Sequence, residues 1–121
     1  MDPFEKALLC VEIINERKAK DLILFEVGKL SSMTDYFLIA SGASSRQVQA
    51  ISQHLKTRMK EEKVTLFGIE GERDGHWILM DYGDVVIHLF YQPVREFYDL
   101  EGLWVEAPRI DLEREARKDE D

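Results

Sequence analysis

The chain has 121 residues, 45% of them hydrophobic and 33% charged, with a net charge of −8 and a single cysteine. That length suits one domain with one core; no apolar run approaches the ~20 residues of a membrane span, and a lone Cys10 excludes an internal disulfide and a multi-cysteine zinc site. Net negative charge disfavours gripping phosphate backbones, which reward Lys and Arg, and suits either a basic protein partner or plain solubility.

The start, Met1-Asp2-Pro3-Phe4-Glu5, lacks the basic opening and apolar centre of a secretion signal, so the expectation is a cytoplasmic protein. Asp2-Pro3 with Glu5 reads as a helix start, with Asp as N-cap and Pro at the first helical position. Ala7, Leu8, Val11 and Ile14 then recur at helical spacing. Leu22 to Val27 predicts a strand ended by Gly28, and Tyr36 to Ala40 a second one ended by Ser41-Gly42. The second is nearly all apolar, which implies burial on both faces and an interior place in a sheet. Ser44 caps the next helix and Gln47 completes a capping box; Val48, Ile51, Leu55 and Met59 form its buried stripe. Val64 to Gly68 predicts a short strand, and Gly71 to Gly75 a polar turn. Pro93 starts a last helical piece, with Val94, Phe97 and Tyr98 as its apolar contacts and Gly102 at its end. Trp104 and Val105 are expected to lie back on the body. Residues 111–121 carry six acids against three bases, so the chain divides into a single domain over 1–108 and a charged C-terminal tail over 109–121. The order α-β-β-α-β-β-β-α predicts an α/β (α+β) fold: a mixed sheet of about five strands with helices packed on it.

The stretch from Gly75 to Trp104 holds both tryptophans and three of the four tyrosines. It predicts a hairpin turning at Tyr82-Gly83, because Gly takes positive φ without strain. Counting back from that loop pairs Met80 with Val85, Leu79 with Val86, Ile78 with Ile87 and Trp77 with His88. Strand side chains alternate, so one face carries Ile78, Met80, Val85, Ile87 and Leu89 and reads as core. The other carries Trp77, Leu79, Val86, His88 and Phe90. Trp is enriched where a surface is buried against a partner, so this face reads either as a contact surface or as packing, with Trp77 in the core and His88 an ordinary strand residue with one hydrogen bond.

Candidate chemistry is sparse. The junction Ser41-Gly42-Ala43-Ser44-Ser45 leads from a strand into a helix N-terminus, a place that can hold a phosphate; its alternative role is to cap the helix. Asp81 and Asp84 lie in a turn and lack the same-face geometry of paired metal-binding carboxylates on a strand. His54, His76 and His88 are the only histidines, and no two stand at helical ligand spacing; His76 and His88 are placed near each other at the open end of the hairpin, and His54 on a solvated helix face. Cys10 reads as a small buried apolar residue. Arg95, Tyr98 and Asp99 form either a polar rim beside the aromatic face or, for Asp99, a local cap. These residues imply no catalytic group, no metal and no cofactor.

The runs Asp81-Tyr82-Gly83-Asp84-Val85-Val86-Ile87-His88-Leu89-Phe90 and Arg95-Glu96-Phe97-Tyr98-Asp99-Leu100-Glu101-Gly102-Leu103-Trp104 resemble the ribosomal silencing factor family, also called the Iojap family. Upstream, Asp35 to Gly42 and Ser44-Ser45-Arg46-Gln47-Val48 resemble it too, so the likeness spans roughly Phe4 to Trp104. The resemblance implies a nucleotidyltransferase-like fold and binding to the large ribosomal subunit through its protein fourteen. The bound factor would block subunit joining and repress translation under nutrient limitation, without enzymatic activity. The partner-binding residues expected are Trp77, Leu79, Asp81, Tyr82 and His88, from the register and the hairpin tip, and Tyr98, from the family-like motif. Direct nucleic-acid readout and membrane contact are not expected; monomer and homodimer both stay open. The alternative is a metal-dependent nucleotidyltransferase using the Ser41–Ser45 turn. Enzymes of that kind follow a similar Gly-Ser turn with two acids one residue apart on a strand, and Val64-Thr65-Leu66-Phe67-Gly68 has none.

Overall fold

A computed structural model describes residues 1–118. In chain order the elements are α1 (Pro3–Glu16), β1 (Lys20–Glu26), β2 (Tyr36–Gly42), α2 (Ser45–Glu61), β3 (Gly68–Glu70), β4 (Trp77–Asp81), β5 (Val85–Tyr91), α3 (Gln92–Tyr98), a 3-10 turn over Leu100–Trp104, and α4 (Leu112–Lys118). The five strands form one mixed sheet in the order β1-β2-β5-β4-β3. Only the β2–β5 pair is parallel, and the segment between those strands carries α2 as the crossover that a parallel pair requires. No helix among the described residues is long and apolar enough to cross a membrane.

Local chemistry explains the helix ends. Asp2 Oδ1 accepts from the Glu5 N–H at 2.8 Å, and Pro3 stands at the first turn. Ser44 Oγ accepts from Gln47 N–H at 3.0 Å, while Gln47 Oε1 accepts from the Ala43 N–H at 2.6 Å. The reciprocal bond of the predicted box thus reaches one residue before the cap. The stripe Val48, Ile51, Leu55 and Met59 is buried, as its spacing implies.

The sheet has two apolar faces. On the inner face Leu24, Leu38, Ala40, Ile78, Met80, Val85, Ile87 and Leu89 meet α1 and α2 in the main core. On the outer face Phe25, Phe37, Ile39 and Phe90 form a second cluster, covered by Val94, Leu100, Trp104 and Ala107 from the chain after β5. Cys10 is fully buried, and burial pushes its thiol up to about 12, which agrees with a packing role.

Several boundaries differ from the sequence reading. The strand expected over Val64–Gly68 forms over Gly68–Glu70 instead. Val64 N–H still bonds the Met59 carbonyl at the end of α2, and ladder pairing to β4 begins only where Phe67 N–H reaches Asp81 O. Val105 does not lie back on the body: it is 76% exposed, while Trp104 packs on the outer cluster. The charged segment after Pro108 is joined to the domain. Arg109 bridges Phe25, Ile110 N–H bonds Leu24 O at 2.9 Å, and Ile110 and Leu112 pack against the main core. The last three residues of that tail, 119–121, lie outside the described residues.

Candidate docking face on the outer sheet

The hairpin turns one residue later than its sequence predicts. Tyr82 N–H bonds Val85 O at 2.9 Å, so the loop is Gly83-Asp84. Gly83 has φ +85 and Asp84 does not share that sign, the II′-like arrangement that needs Gly first. Asp81 Oδ1 accepts from Gly83 N–H at 2.8 Å and fixes the turn. Two forces select this loop over Tyr82-Gly83. The Tyr82 ring is buried in the main core, where it leaves water, and Lys6 Nζ ties the tip to α1 through Tyr82 O and Asp84 Oδ2, both at 3.2 Å.

The pairing therefore runs Met80 to Ile87, Leu79 to His88, Ile78 to Leu89 and Trp77 to Phe90. The expected pairs are displaced by two residues. An even displacement leaves every side chain on its assigned face, since the period is two. Ile78, Met80, Val85, Ile87 and Leu89 are all buried on the inner face.

Of the residues expected at a partner surface, Trp77, Leu79 and Asp81 are half-buried on the outer face and Tyr98 is 54% exposed. Trp77 lies 5.1 Å from Tyr98 and stacks on Phe90 at 4.9 Å between ring centres. Trp77 and Tyr98, together with His76, Pro93, Val94 and Phe97, line a shallow cleft of about 380 Å³ between the sheet and α3. Tyr82 does not belong to this face. It is 1% exposed on the opposite side of the sheet, with its hydroxyl unpartnered and its ionisation pushed up by burial. Asp81 is engaged in the turn. His88 is buried at the floor of the face, with its ring stacked on Phe37 at 4.5 Å.

Trp77 and His88 are diagonal neighbours across β4 and β5, and aromatic side chains span that distance. Trp77 Nε1–H donates to His88 Nδ1 at 2.8 Å. The turn Gly71–Gly75 helps set Trp77: Gly71 has φ +85 and lies so close that a Cβ there would sit 2.0 Å from the Trp77 carbonyl oxygen. His76 is not beside His88; its carbonyl accepts from Tyr91 N–H and its ring faces Tyr91 at 6.4 Å. His54 is not simply solvated: its Nε2 lies 2.8 Å from Glu16 Oε1, across α1 and α2.

Sequence reasoning missed two features. Phe97, assigned to packing, is 82% exposed on α3, and Leu103 is 72% exposed nearby in sequence on the 3-10 turn. Arg95, assigned to a polar rim, is 5% exposed; it donates to Ser41 Oγ at 2.7 Å and its Nε lies 3.4 Å from Glu101 Oε2. The only local signal was the shortness of α3. In seven residues beginning with Gln92-Pro93, few positions can face the sheet, so Val94 and Arg95 take the inside and Phe97 is left out.

The same contacts occupy the Ser41–Ser45 junction. Ser41 binds Arg95, Ser44 caps α2, and a Cβ at Gly42 would lie 2.9 Å from Val48. Gly42 therefore serves the close approach of strand and helix. Among the described residues no group of three or more His, Cys, Asp or Glu side chains is placed to hold a metal ion.

Burial pulls the His88 imidazole down from 6.5 to about 4. The unfolded chain then takes up a proton that the folded chain refuses as pH falls from 6.5 to about 4. Stability from this group is full above that window, declines through it and levels off below, a loss of about 3 kcal/mol at most. Protonated Nδ1 is also no longer an acceptor for Trp77. Urea unfolding across this window is expected to show the decline in the native protein and a shallower one in His88→Phe. Equal slopes would mean that other groups carry the pH dependence.

The family described as "Ribosomal silencing factor during starvation" matches residues 2–121. The chain is 38% identical to the ribosomal silencing factor of Halalkalibacterium halodurans over 87% of its own length and 90% of that protein. It is 34% identical to a mouse protein named "Mitochondrial assembly of ribosomal large subunit protein 1", over 79% of this chain and 43% of that one. A crystal structure of a Chromobacterium violaceum protein superposes with a TM-score of 0.84 at 38% identity, covering 86% of this chain and 87% of that one. A match over nearly the whole chain, in sequence and in fold alike, means that this protein belongs to the ribosomal silencing factor family.

Proposed function

We propose that the protein binds the large ribosomal subunit through its protein fourteen and blocks the small subunit from joining. It would thereby repress translation when nutrients are scarce. The observation that supports this most is the half-open outer face. Trp77, Leu79 and Val86 remain partly uncovered on the sheet, with Tyr98 and Phe97 exposed on the neighbouring α3. Aromatic groups on a fixed scaffold are the usual anchors of a protein interface, because they bury large area at low entropic cost.

Family membership and the mouse relative, named for assembly of the large subunit, favour the same partner. In this reading the protein acts in the cytoplasm, by occupancy and not by a reaction. Its effect follows from its concentration relative to its dissociation constant. The contact residues proposed are Trp77, Leu79, Asp81 and Tyr98. His88 supports them from below, and Tyr82, on the far face, holds the hairpin tip.

Purified large subunits should carry the protein into the pellet at moderate salt, and small subunits added afterwards should form fewer joined ribosomes. Protein that stays in the supernatant at micromolar subunit concentration would refute the proposal. Binding without loss of joining would leave the partner right and the steric mechanism wrong.

A further inference from the structure

The hydrogen bond between Trp77 and His88 has a consequence for the opposite edge of the imidazole. An indole N–H only donates, so His88 Nδ1, 2.8 Å from Trp77 Nε1, must present its lone pair. A neutral imidazole carries one proton, and here that proton is forced onto Nε2. Among the described residues Nε2 has no hydrogen-bond partner. It also differs from Tyr82 Oη, Glu101 Oε1 and Trp104 Nε1, which are sealed from water without partners. The ring cannot turn freely to hide this donor. Phe37 stacks on it at 4.5 Å and 22°, and the Phe90 ring lies nearly parallel at 6.3 Å and 17°. The outer face therefore holds one oriented N–H at the floor of an apolar patch bordered by Trp77, Leu79 and Val86.

We propose that His88 is a positioning and specificity residue of the docking face: Nδ1 fixes the Trp77 indole, and Nε2–H is offered to a carbonyl oxygen on the protein partner. The inference rests on the docking function proposed above. A partner that brings an oxygen to this point completes the bond. A partner that brings only apolar surface buries an unpaired donor and is disfavoured roughly tenfold or more. Burial, which keeps the imidazole neutral at pH 7, sustains the arrangement.

The test has two arms. Long-range proton–nitrogen NMR on the free native protein should show His88 wholly in the Nε2–H tautomer, and Trp77→Phe, which keeps a ring and removes the donor, should release it into a tautomer mixture. A native Nδ1–H tautomer, or a tautomer indifferent to Trp77→Phe, would overturn the positioning role. In the second arm, His88→Asn keeps an acceptor near Nδ1 and removes the Nε2 donor. With the Trp77 indole proton still bonded, its affinity for large subunits should fall by about tenfold. His88→Phe, which loses both bonds, should fall further. Native-like affinity in a folded His88→Asn protein would overturn the donor role. Should either variant fail to fold, the tautomer measurement needs neither. A native protein that does not bind large subunits refutes the docking function, and with it the donor role, while the NMR arm still decides whether His88 positions Trp77.

Discussion

Ile87→Ala is expected to destabilise the protein by about 2–5 kcal/mol, because it removes a large side chain from a site that cannot collapse. Ile87 is fully buried in β5, paired with Leu38 of β2 on one side and Met80 of β4 on the other. Both neighbours point into the same core, against α1 and α2, so the cavity would be walled by sheet and helices together. For a domain of this size a loss in that range lowers the melting temperature by roughly 10 °C or more. On the docking proposed above, the variant below its own melting point should bind large subunits with native affinity, since Ile87 has no part in the outer face. Thermal melts and co-sedimentation decide both points. A normal melt with lost binding would reverse the assignment of the two faces.

Trp77→Ala is expected to act the other way round, weakening large-subunit binding by about 2–4 kcal/mol, the range of a central aromatic anchor. Some stability is lost with it. The indole stacks on Phe90 and donates to His88, so its removal uncovers the second cluster and leaves Nδ1 without its donor. That loss should still be smaller than for Ile87→Ala, because the Trp77 ring is only half-buried. Titration of large subunits against the labelled variant, beside its melting curve, separates the two effects. Trp77→Ala that melts below Ile87→Ala and binds normally when folded would identify Trp77 as core alone.

What the sequence determined by itself is everything carried by short-range periodicity. The caps at Asp2 and Ser44, the stripe on α2, the order of elements and the two hairpin faces are local patterns, set by 3.6-residue and two-residue repeats. The face assignment survived a wrong turn because the error shifted the pairing by an even number. The tertiary structure decided the rest, because the rest depends on what the chain meets when it closes on itself. The turn moved to Gly83-Asp84 because the Tyr82 ring packs into the main core beside Met80, and Lys6, far upstream, holds the Tyr82 carbonyl and Asp84. Arg95 became a buried brace because Ser41 and Glu101 converge on it from different elements. The segment after Pro108 became part of the body because β1 had an unpaired edge, and backbone groups at such an edge take any partner that reaches them. The opening in the outer face has the same origin. α3 and the 3-10 turn are long enough to cover Phe25, Phe37 and Phe90 but leave Trp77 and Leu79 partly uncovered, and that difference in reach is not written in the pattern of any one strand.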